Sequence, residues 1–240
     1  MSKPYNLTEQ DALIITDIQL DFLPGGALPV EGGDRIIPVI NEYIKHFTKA
    51  NAPIIASRDW HPLNHSSFKT QGGLWPPHCI QNTEGAKFSS KLKLPSDTII
   101  ISKATNPQYE AYSAFDRTDL DKQLQQLGVR RLFVCGLATD YCVVNTVLDA
   151  RKLGYDTVVL MDAILGINLL SGDVDRAVEA MVNSGAEQAA DEDFSELTDT
   201  LPIEKAAPEV LADKPSMIKA AKKKARMRSR TAKKQIKAER

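Results

Sequence analysis

Short apolar runs alternate with helically periodic segments along most of the chain. Five runs have the length and the Val, Ile and Leu content of buried strands: 12–16, 53–57, 98–102, 131–135 and 156–160. A weaker sixth run covers 186–190. Between these runs, apolar positions recur at helical spacing. One such segment begins at the cap residue Asp34, and the others cover 120–127, 140–153 and 174–184. This alternation predicts an α/β fold: a three-layer, open and mostly parallel six-stranded sheet with helices on both faces.

Two segments do not follow this alternation. Residues 60–95 are rich in Pro, Gly, Asn, Ser and His and show no lasting periodicity, and loops of that length in compact domains are usually functional. The alternation also stops near Pro202. We therefore expect one α/β domain over 1–202, followed over 203–240 by an Ala- and Pro-containing linker and a basic tail that is disordered or loosely helical.

Charge is distributed unevenly along the 240 residues, although the net charge is only −1. Residues 214–240 hold 12 Lys and Arg against the single acid Glu239. A solvated extension is the simplest interpretation of this tail, and a nuclear-import signal or weak binding to a phosphate backbone are the alternatives. No aromatic residue follows Ser195, so base stacking is excluded for the tail and any nucleic-acid contact should be sensitive to salt.

The sequence contains no pattern typical of secretion or of membrane insertion. Residues 1–11 are polar, and no apolar run approaches the length of a membrane span, so we expect no membrane partner. The three cysteines, an odd number, argue against a disulfide framework. We expect a cytoplasmic protein in a reducing compartment, which also enters the nucleus if the tail is a targeting signal.

The stretch 135–144 combines the end of a strand, a tight turn and the start of a helix. Thr139 or Asp140 is a suitable N-cap, which would place Cys142 in the first helical turn. Free N–H groups and the helix dipole favour an anion there, so the thiol should ionise easily and act as a nucleophile. The same N–H groups, with that of Ala138, could form an oxyanion hole. The alternative is a small apolar cysteine packed in a helix.

Three more polar residues lie just past the carboxyl ends of predicted strands: Asp17, Asp59 and Lys103. The carboxyl ends of the strands form the ligand-binding edge of open α/β sheets, so these groups should share one crevice with Cys142. There Asp17 could take the thiol proton and later deliver it to a leaving amine, while Lys103 holds the resulting anions in place. A strand-end turn residue for Asp17 and a solvated position for Lys103 are the alternatives.

A carboxylate and three histidines cluster in the long loop: Asp59, His61, His65 and His78. Only one of the four histidines in the chain, His46, lies elsewhere. Imidazole and carboxylate ligands suit Zn²⁺, Fe²⁺ or Mn²⁺, and a loop ligand set leaves positions open for water or substrate. We expect one divalent ion, zinc first, with iron and manganese as alternatives. The other interpretation is a set of surface or loop-capping histidines.

Several motif blocks follow one another in order: DIQLDF (17–22) with PGGAL (24–28), DWHP (59–62) with NH (64–65) and SF (67–68), WPPHC (75–79), Lys103, YSAF (112–115) and GLATDYCV (136–143). In this order they resemble the nicotinamidases of the isochorismatase-like cysteine hydrolase superfamily. The resemblance runs from about residue 11 to residue 192 and leaves the tail outside. Two places depart from the family pattern: Leu20 stands where Asn is common, and the stretch 104–107 after Lys103 has no Gly, although the family often has one there.

The resemblance implies roles for the matching residues. It implies a catalytic triad of Asp17, Lys103 and Cys142. It implies an oxyanion hole from the N–H groups of Ala138 and Cys142, with a cis peptide between Leu137 and Ala138. The metal ligands that it implies are Asp59, His61, His65 and His78. Phe22, Trp75 and Tyr112 match the aromatic residues that line the pyridine pocket of the family.

The resemblance also implies an activity, the hydrolysis of nicotinamide to nicotinic acid and ammonia through a cysteine thioester, in NAD salvage. Relatives that hydrolyse other substrates usually lack the metal set, which favours nicotinamide as the substrate. We further expect a homo-oligomer. The alternative is a catalytically silent relative that binds nucleic acid or a protein through its tail, and the intact triad and metal set argue against it.

Overall fold

A six-stranded parallel sheet forms the centre of the protein, which the computed structural model describes over residues 4–194. The strands are β1 (Asp11–Thr16), β2 (Ile54–Asp59), β3 (Ile99–Lys103), β4 (Arg131–Leu137), β5 (Asp156–Leu165) and β6 (Glu187–Ala189). They lie in the order β3-β2-β1-β4-β5-β6, and each pairing is parallel. The predicted open α/β sheet of six strands is confirmed.

Helices cover both faces of this sheet. They are α1 (Ile37–Lys49), α2 (Leu120–Gln126), α3 (Val144–Lys152) and α4 (Asp173–Asn183). Leu13 and Ile15 of β1 pack in the core that contains α1, whereas Ala12 and Ile14 pack in the core that contains the other three helices. Successive side chains of a strand point to opposite faces, so a strand covered on both faces must be apolar at consecutive positions. This burial on both faces explains the continuous apolar runs of the sequence.

The strand order reverses between β1 and β4. From β1 the sheet continues through β2 and β3 to one edge, and from β4 it continues through β5 and β6 to the other. At such a reversal a crevice forms outside the carboxyl ends of the strands, and ligands of open α/β proteins bind there. Asp17 directly follows β1, and Cys142 follows β4 after a short turn, so both residues lie at this crevice.

The end of β5 and the start of α1 differ from the sequence prediction. β5 runs to Leu165, past its expected end at 160. Asp162 interrupts the apolar run, but its carboxylate accepts a hydrogen bond from the Tyr43 hydroxyl at 2.7 Å, so the strand can continue through a polar position. Asp34 does not cap α1. It lies in a short 3-10 turn, Gly33–Ile36, that leads into the helix without a side-chain cap.

Two expectations from the sequence lie partly or wholly outside the described residues. The expected domain end near Pro202 and the basic tail 203–240 fall outside residues 4–194, so the expectations for them stay predictions. Among the residues that are described, no helix is long and apolar enough to cross a membrane.

Gly136 of β4 approaches β1 very closely beside the crevice. Its φ is +113°, and a Cβ atom built on it would lie 2.1 Å from the backbone oxygen of Thr16. We expect Gly136→Ala to lower the free energy of unfolding by about 3 kcal/mol, because backbone strain and overpacking add. Denaturant unfolding measures the loss.

The matched control for this prediction is Gly154→Ala. Gly154 also has a positive φ, +91°, but nothing lies within 4 Å of a Cβ built there. Only the backbone strain remains at this position, so the free energy of unfolding should fall by about 1 kcal/mol. Equal losses in the two variants would contradict the close approach of β1 and β4.

Candidate active site

The ends of four strands place the candidate residues around one point. Asp17 follows β1 with a φ of +53°, a left-handed conformation that turns the chain out of the sheet. Asp59 and Lys103 are the last residues of β2 and β3, and they are directly paired in the ladder. Cys142 lies in the turn that follows β4. The register of the sheet therefore brings together the three charged groups and the thiol that the sequence singles out.

The Lys103 ammonium group is the centre of this cluster. Its Nζ lies 2.5 Å from Asp59 Oδ1, 2.9 Å from Asp17 Oδ2 and 3.4 Å from Cys142 Sγ. It also donates a hydrogen bond to the backbone oxygen of Ala111 at 3.2 Å. Lys103 is only 1% exposed, which excludes the interpretation as a solvated surface lysine.

The charges of the cluster shift one another's pKa. Burial disfavours the ammonium form, but the carboxylates of Asp17 and Asp59 raise the pKa of Lys103 well above its ordinary value. Burial raises the pKa of Asp17 in spite of the attraction of Lys103. For Asp59, Lys103 and the neighbouring imidazoles outweigh burial, so its pKa is lowered. Asp59 is thus held as an anion, while Asp17 is a stronger base than an ordinary aspartate.

One oxygen of the Asp17 carboxylate is available for proton transfer. The Ser57 hydroxyl donates a hydrogen bond to Oδ1 at 2.7 Å. Oδ2 forms the ion pair with Lys103 Nζ at 2.9 Å. A carboxylate oxygen of Asp17 lies within 4.8 Å of Cys142 Sγ, and Asp17 is completely buried. Asp17 can therefore serve as the proton acceptor for the thiol.

The turn that carries the thiol differs from the sequence prediction. It is a π-helical turn, Thr139–Val143, that precedes α3, and no side chain caps it. The prediction of Thr139 or Asp140 as the N-cap is therefore wrong. The Asp140 carboxylate instead accepts the N–H groups of Ile167 and Asn168, at 2.9 and 2.7 Å, and ties the turn to the segment after β5.

The surroundings of the Cys142 thiol disfavour its ionisation, contrary to the expectation that it ionises easily. Burial raises the pKa of Cys142 well above its usual range, Lys103 lowers it, and the carboxylates of Asp17 and Asp59 raise it further. Loss of solvent and two nearby anions outweigh the favourable position at the start of a helix. Ionisation therefore requires a proton acceptor close to the sulfur.

Ala138 directly precedes the turn that carries the thiol. The Leu137–Ala138 peptide is cis, as the resemblance implies. The Ala138 carbonyl accepts the N–H groups of Tyr141 and Val143, both at 3.1 Å. A backbone N–H group next to a nucleophile has the chemistry of an oxyanion-hole donor.

Three side chains at Asp59 are arranged as metal ligands. One ligand atom from each of Asp59, His61 and His78 lies within 4.8 Å of the others, and all three residues are buried. The Nδ1 atoms of His61 and His78 face the backbone oxygens of His78 and Pro76, at 3.1 and 2.8 Å. His61 Nε2 is buried without a hydrogen-bond partner among the described residues, which costs free energy unless another partner satisfies it. This donor set fits a divalent transition metal.

The fourth expected ligand, His65, belongs to a second group that it forms with His61 and Glu110. His65 Nδ1 lies 2.7 Å from Ser67 Oγ and its Nε2 lies 3.0 Å from the backbone oxygen of Tyr109, so both ring nitrogens already have partners. Glu110 Oε1 lies 3.8 Å from His61 Nε2. Sequence reasoning missed Glu110, because it follows β3 and only the fold brings it to the histidines.

Aromatic rings lie beside the cluster. Phe22 packs against His78 with ring centroids 5.5 Å apart, and Trp75 Nε1 donates to the Tyr112 hydroxyl at 3.0 Å. Tyr141, which sequence reasoning missed, contacts both Trp75 and Tyr112 with centroids at 5.1 and 5.5 Å. Its position next to the candidate nucleophile could have indicated it. Flat apolar walls beside polar groups suit a planar ring with polar substituents.

The chain is similar to known proteins over most of the described residues. Residues 11–193 match the isochorismatase domain. The nicotinamidase of Escherichia coli (strain K12) is 39% identical over 196 residues, covering 73% of this chain and 92% of that protein. The pyrazinamidase of Pyrococcus horikoshii in complex with zinc has a TM-score of 0.73 at 52% identity and covers 75% of this chain and 99% of its own. PnC1 from L. infantum in complex with nicotinate has a TM-score of 0.73 at 36% identity, with 79% and 98% covered.

Asp17→Asn tests the electrostatics of the cluster while keeping its shape. Burial is the main cause of the raised pKa of Cys142, and Asp17 adds to it, so removal of this carboxylate should lower that pKa and increase the thiolate fraction. Because only the thiolate reacts, we expect alkylation of Cys142 by iodoacetamide at mildly alkaline pH to be about tenfold faster in this variant. Mass spectrometry of chelator-treated protein measures the rate.

Ser57→Ala is the matched control for this substitution. It removes the hydrogen bond to Asp17 Oδ1 but no charge, so the alkylation rate should stay close to that of the unmodified chain. Slower or unchanged alkylation of Asp17→Asn would contradict the electrostatic arrangement described above.

Proposed function

The chain belongs to the isochorismatase domain family, and from this premise we propose that it hydrolyses nicotinamide to nicotinic acid and ammonia. Nicotinic acid then returns to NAD through salvage. The observation that carries the proposal is the position of Lys103, whose ammonium lies at once against Asp17, Asp59 and the Cys142 thiol. One buried group thereby joins a proposed Asp–Lys–Cys triad to the proposed metal ligands.

Acylation of Cys142 is the first step of the proposed reaction. The thiol proton passes to Asp17, Sγ forms a bond to the carboxamide carbon, and the π electrons of the C=O bond move onto the oxygen. The N–H groups of Ala138 and Cys142 hold this oxyanion, and Lys103 stabilises the thiolate. The C–N bond then breaks, the leaving nitrogen takes the proton from Asp17, and ammonia departs from a nicotinoyl thioester.

Water completes the reaction through the same carboxylate. Asp17 takes a proton from water, whose oxygen bonds to the thioester carbon while the C–S bond breaks. The proton on Asp17 then returns to the sulfur, and nicotinic acid leaves. The raised pKa of Asp17 suits this role, because a general base is most effective when its pKa approaches the working pH.

The substrate ring is proposed to lie between the aromatic residues of the site. Phe22, Trp75 and Tyr112, with Tyr141 beside them, offer flat apolar surfaces that hold a pyridine ring and direct its carboxamide towards the thiol. A reacting carbon held at the sulfur needs no further loss of orientational freedom, and this accounts for a large part of the rate enhancement of many enzymes.

The proposed metal ligands are Asp59, His61 and His78, with His65 and Glu110 next to them. A divalent ion held there supplies Lewis acidity and a coordination position for the ring nitrogen. Zinc is our first choice, since the similar pyrazinamidase of P. horikoshii is in complex with zinc. Iron and manganese suit the same ligands.

Four further proposals rest on the sequence alone. They are a homo-oligomer, a cytoplasmic location, nuclear import through the basic tail, and weak, salt-sensitive contact of that tail with nucleic acid. The last two concern residues beyond 194.

Release of ammonia from nicotinamide by the purified full chain is the direct test of the function. We expect rapid release that stops after chelation and returns on addition of zinc. Cys142→Ala should lower kcat at least about a thousandfold, because the nucleophile is lost. Cys135→Ala is the matched control, since Cys135 is buried in β4 within the hydrophobic core and should leave most activity.

Two outcomes of this assay would change the conclusion. If ammonia release continues after chelation, the metal is not required for the reaction, and the chain is an amidase with a broader range of substrates. No release from nicotinamide by the zinc-loaded chain would falsify the proposed function.

Zinc affinity tests the difference between His61 and His65 in their hydrogen-bond partners. His61 Nε2 has no hydrogen-bond partner, whereas both nitrogens of His65 are engaged. Competition with a chromophoric chelator should show a rise in the zinc Kd of more than about 100-fold for His61→Ala and of about tenfold for His65→Ala. Equal rises in the zinc Kd of the two variants would instead indicate that His65 is a direct ligand, as the family resemblance implies.

A further inference from the structure

The side chain of Gln19 connects the two halves of the site. Gln19 is completely buried, and its Nε2 donates to the backbone oxygens of Asp59 and Ala86 at 2.8 and 2.9 Å. Its Oε1 accepts the Asp59 N–H at 2.7 Å. Its backbone N–H donates to the backbone oxygen of Asp17 at 2.8 Å. One residue therefore holds the backbone of the proposed catalytic acid and that of the proposed metal ligand.

The geometry of the sheet explains why a side chain makes these contacts. β1 pairs with β2 as far as Thr16 and Ser57, and the chain then turns away at Asp17 with a left-handed φ. The N–H and C=O groups of Asp59 would have no strand partner beyond this point. The Gln19 amide carries the same donor and acceptor as a peptide group, and it takes the place of the missing strand.

The backbone of Asp59 matters because its carboxylate faces two partners. Oδ1 lies 2.5 Å from Lys103 Nζ, and Oδ2 lies 3.9 Å from His78 Nε2. A rotation of the Asp59 peptide would therefore move this carboxylate away from the ammonium and from the metal ligands together. The direction of metal ligands is commonly set by such supporting hydrogen bonds.

We propose that Gln19 is a positioning residue that holds the Asp59 backbone so that one carboxylate serves both Lys103 and the metal. This inference rests on the proposed function for the roles of metal and thiol. Gln19 itself touches neither the substrate carbon nor the sulfur in the proposed reaction. Its effect is exerted entirely through Asp59.

Gln19→Met in the full-length chain tests the inference, because methionine has nearly the same shape but cannot make any of the three side-chain hydrogen bonds. Asn41→Leu is the matched control. The Asn41 amide of α1 also pairs with backbone groups, donating to Lys91 O at 3.0 Å and accepting from Lys93 N–H at 2.9 Å, and Asn41 is 9% exposed. Both variants should lower Tm, since both remove buried amide contacts.

Only Gln19→Met should change the chemistry of the site. We expect the zinc Kd to rise about tenfold or more and kcat for nicotinamide at saturating zinc to fall about tenfold, with little change in KM. Asn41→Leu should leave the zinc Kd and kcat unchanged. If Gln19→Met lowers Tm as Asn41→Leu does but keeps the zinc Kd and kcat, Gln19 is merely structural and the inference is overturned.

The failure of this inference is distinguishable from failure of the proposed function. If the unmodified chain releases no ammonia from nicotinamide, the proposed function fails, while the zinc Kd still decides the role of Gln19. If Gln19→Met does not fold, hydrogen exchange measured on the chain without substitutions is the test instead. The Asp59 N–H donates its hydrogen bond to Gln19 Oε1, and zinc should slow the hydrogen exchange of this N–H group. An exchange rate that zinc does not change would overturn the inference.

Discussion

The buried ion cluster around Lys103 is the constraint on which the rest of the site depends. Moving a charge out of water costs several kcal/mol, so a buried ammonium group is tolerated only with close anionic partners. Lys103 has two, Asp17 and Asp59, and the parallel register of β1, β2 and β3 places them. Loss of the lysine would leave two buried carboxylates uncompensated. The interaction that holds these strand ends together is therefore also the one that sets the reactivity of the thiol.

Asp59 makes the proposed metal site and the proposed triad parts of one structure. Its two carboxylate oxygens face different partners, the ammonium on one side and an imidazole on the other. A change in the charge or position of this carboxylate acts on both sites at once. This sharing also gives a physical reason for the buried amide of Gln19, which holds a backbone segment at the point where regular strand pairing stops.

Much of the fold could be predicted because burial on both faces of a parallel sheet leaves a clear sequence pattern. The strands around Ile14, Ile55 and Val134 are apolar at consecutive positions for this reason. The position of reactive residues was predictable too, since Asp17, Asp59 and Lys103 lie at the carboxyl ends of such strands. The end of β5 could not be predicted, because its polar residue Asp162 is satisfied by Tyr43, a partner distant in sequence.

The sequence by itself determined the order of strands and helices along the chain, the edge of the sheet at which the polar residues meet, and the residue types available for chemistry. The tertiary structure alone decided how these groups act on one another. Burial and neighbouring carboxylates raise the pKa of the Cys142 thiol, both nitrogens of His65 have hydrogen-bond partners, and Glu110 lies near His61. These properties depend on desolvation and on distances of a few ångströms between residues far apart in the chain, and no local pattern of amino acids encodes such distances.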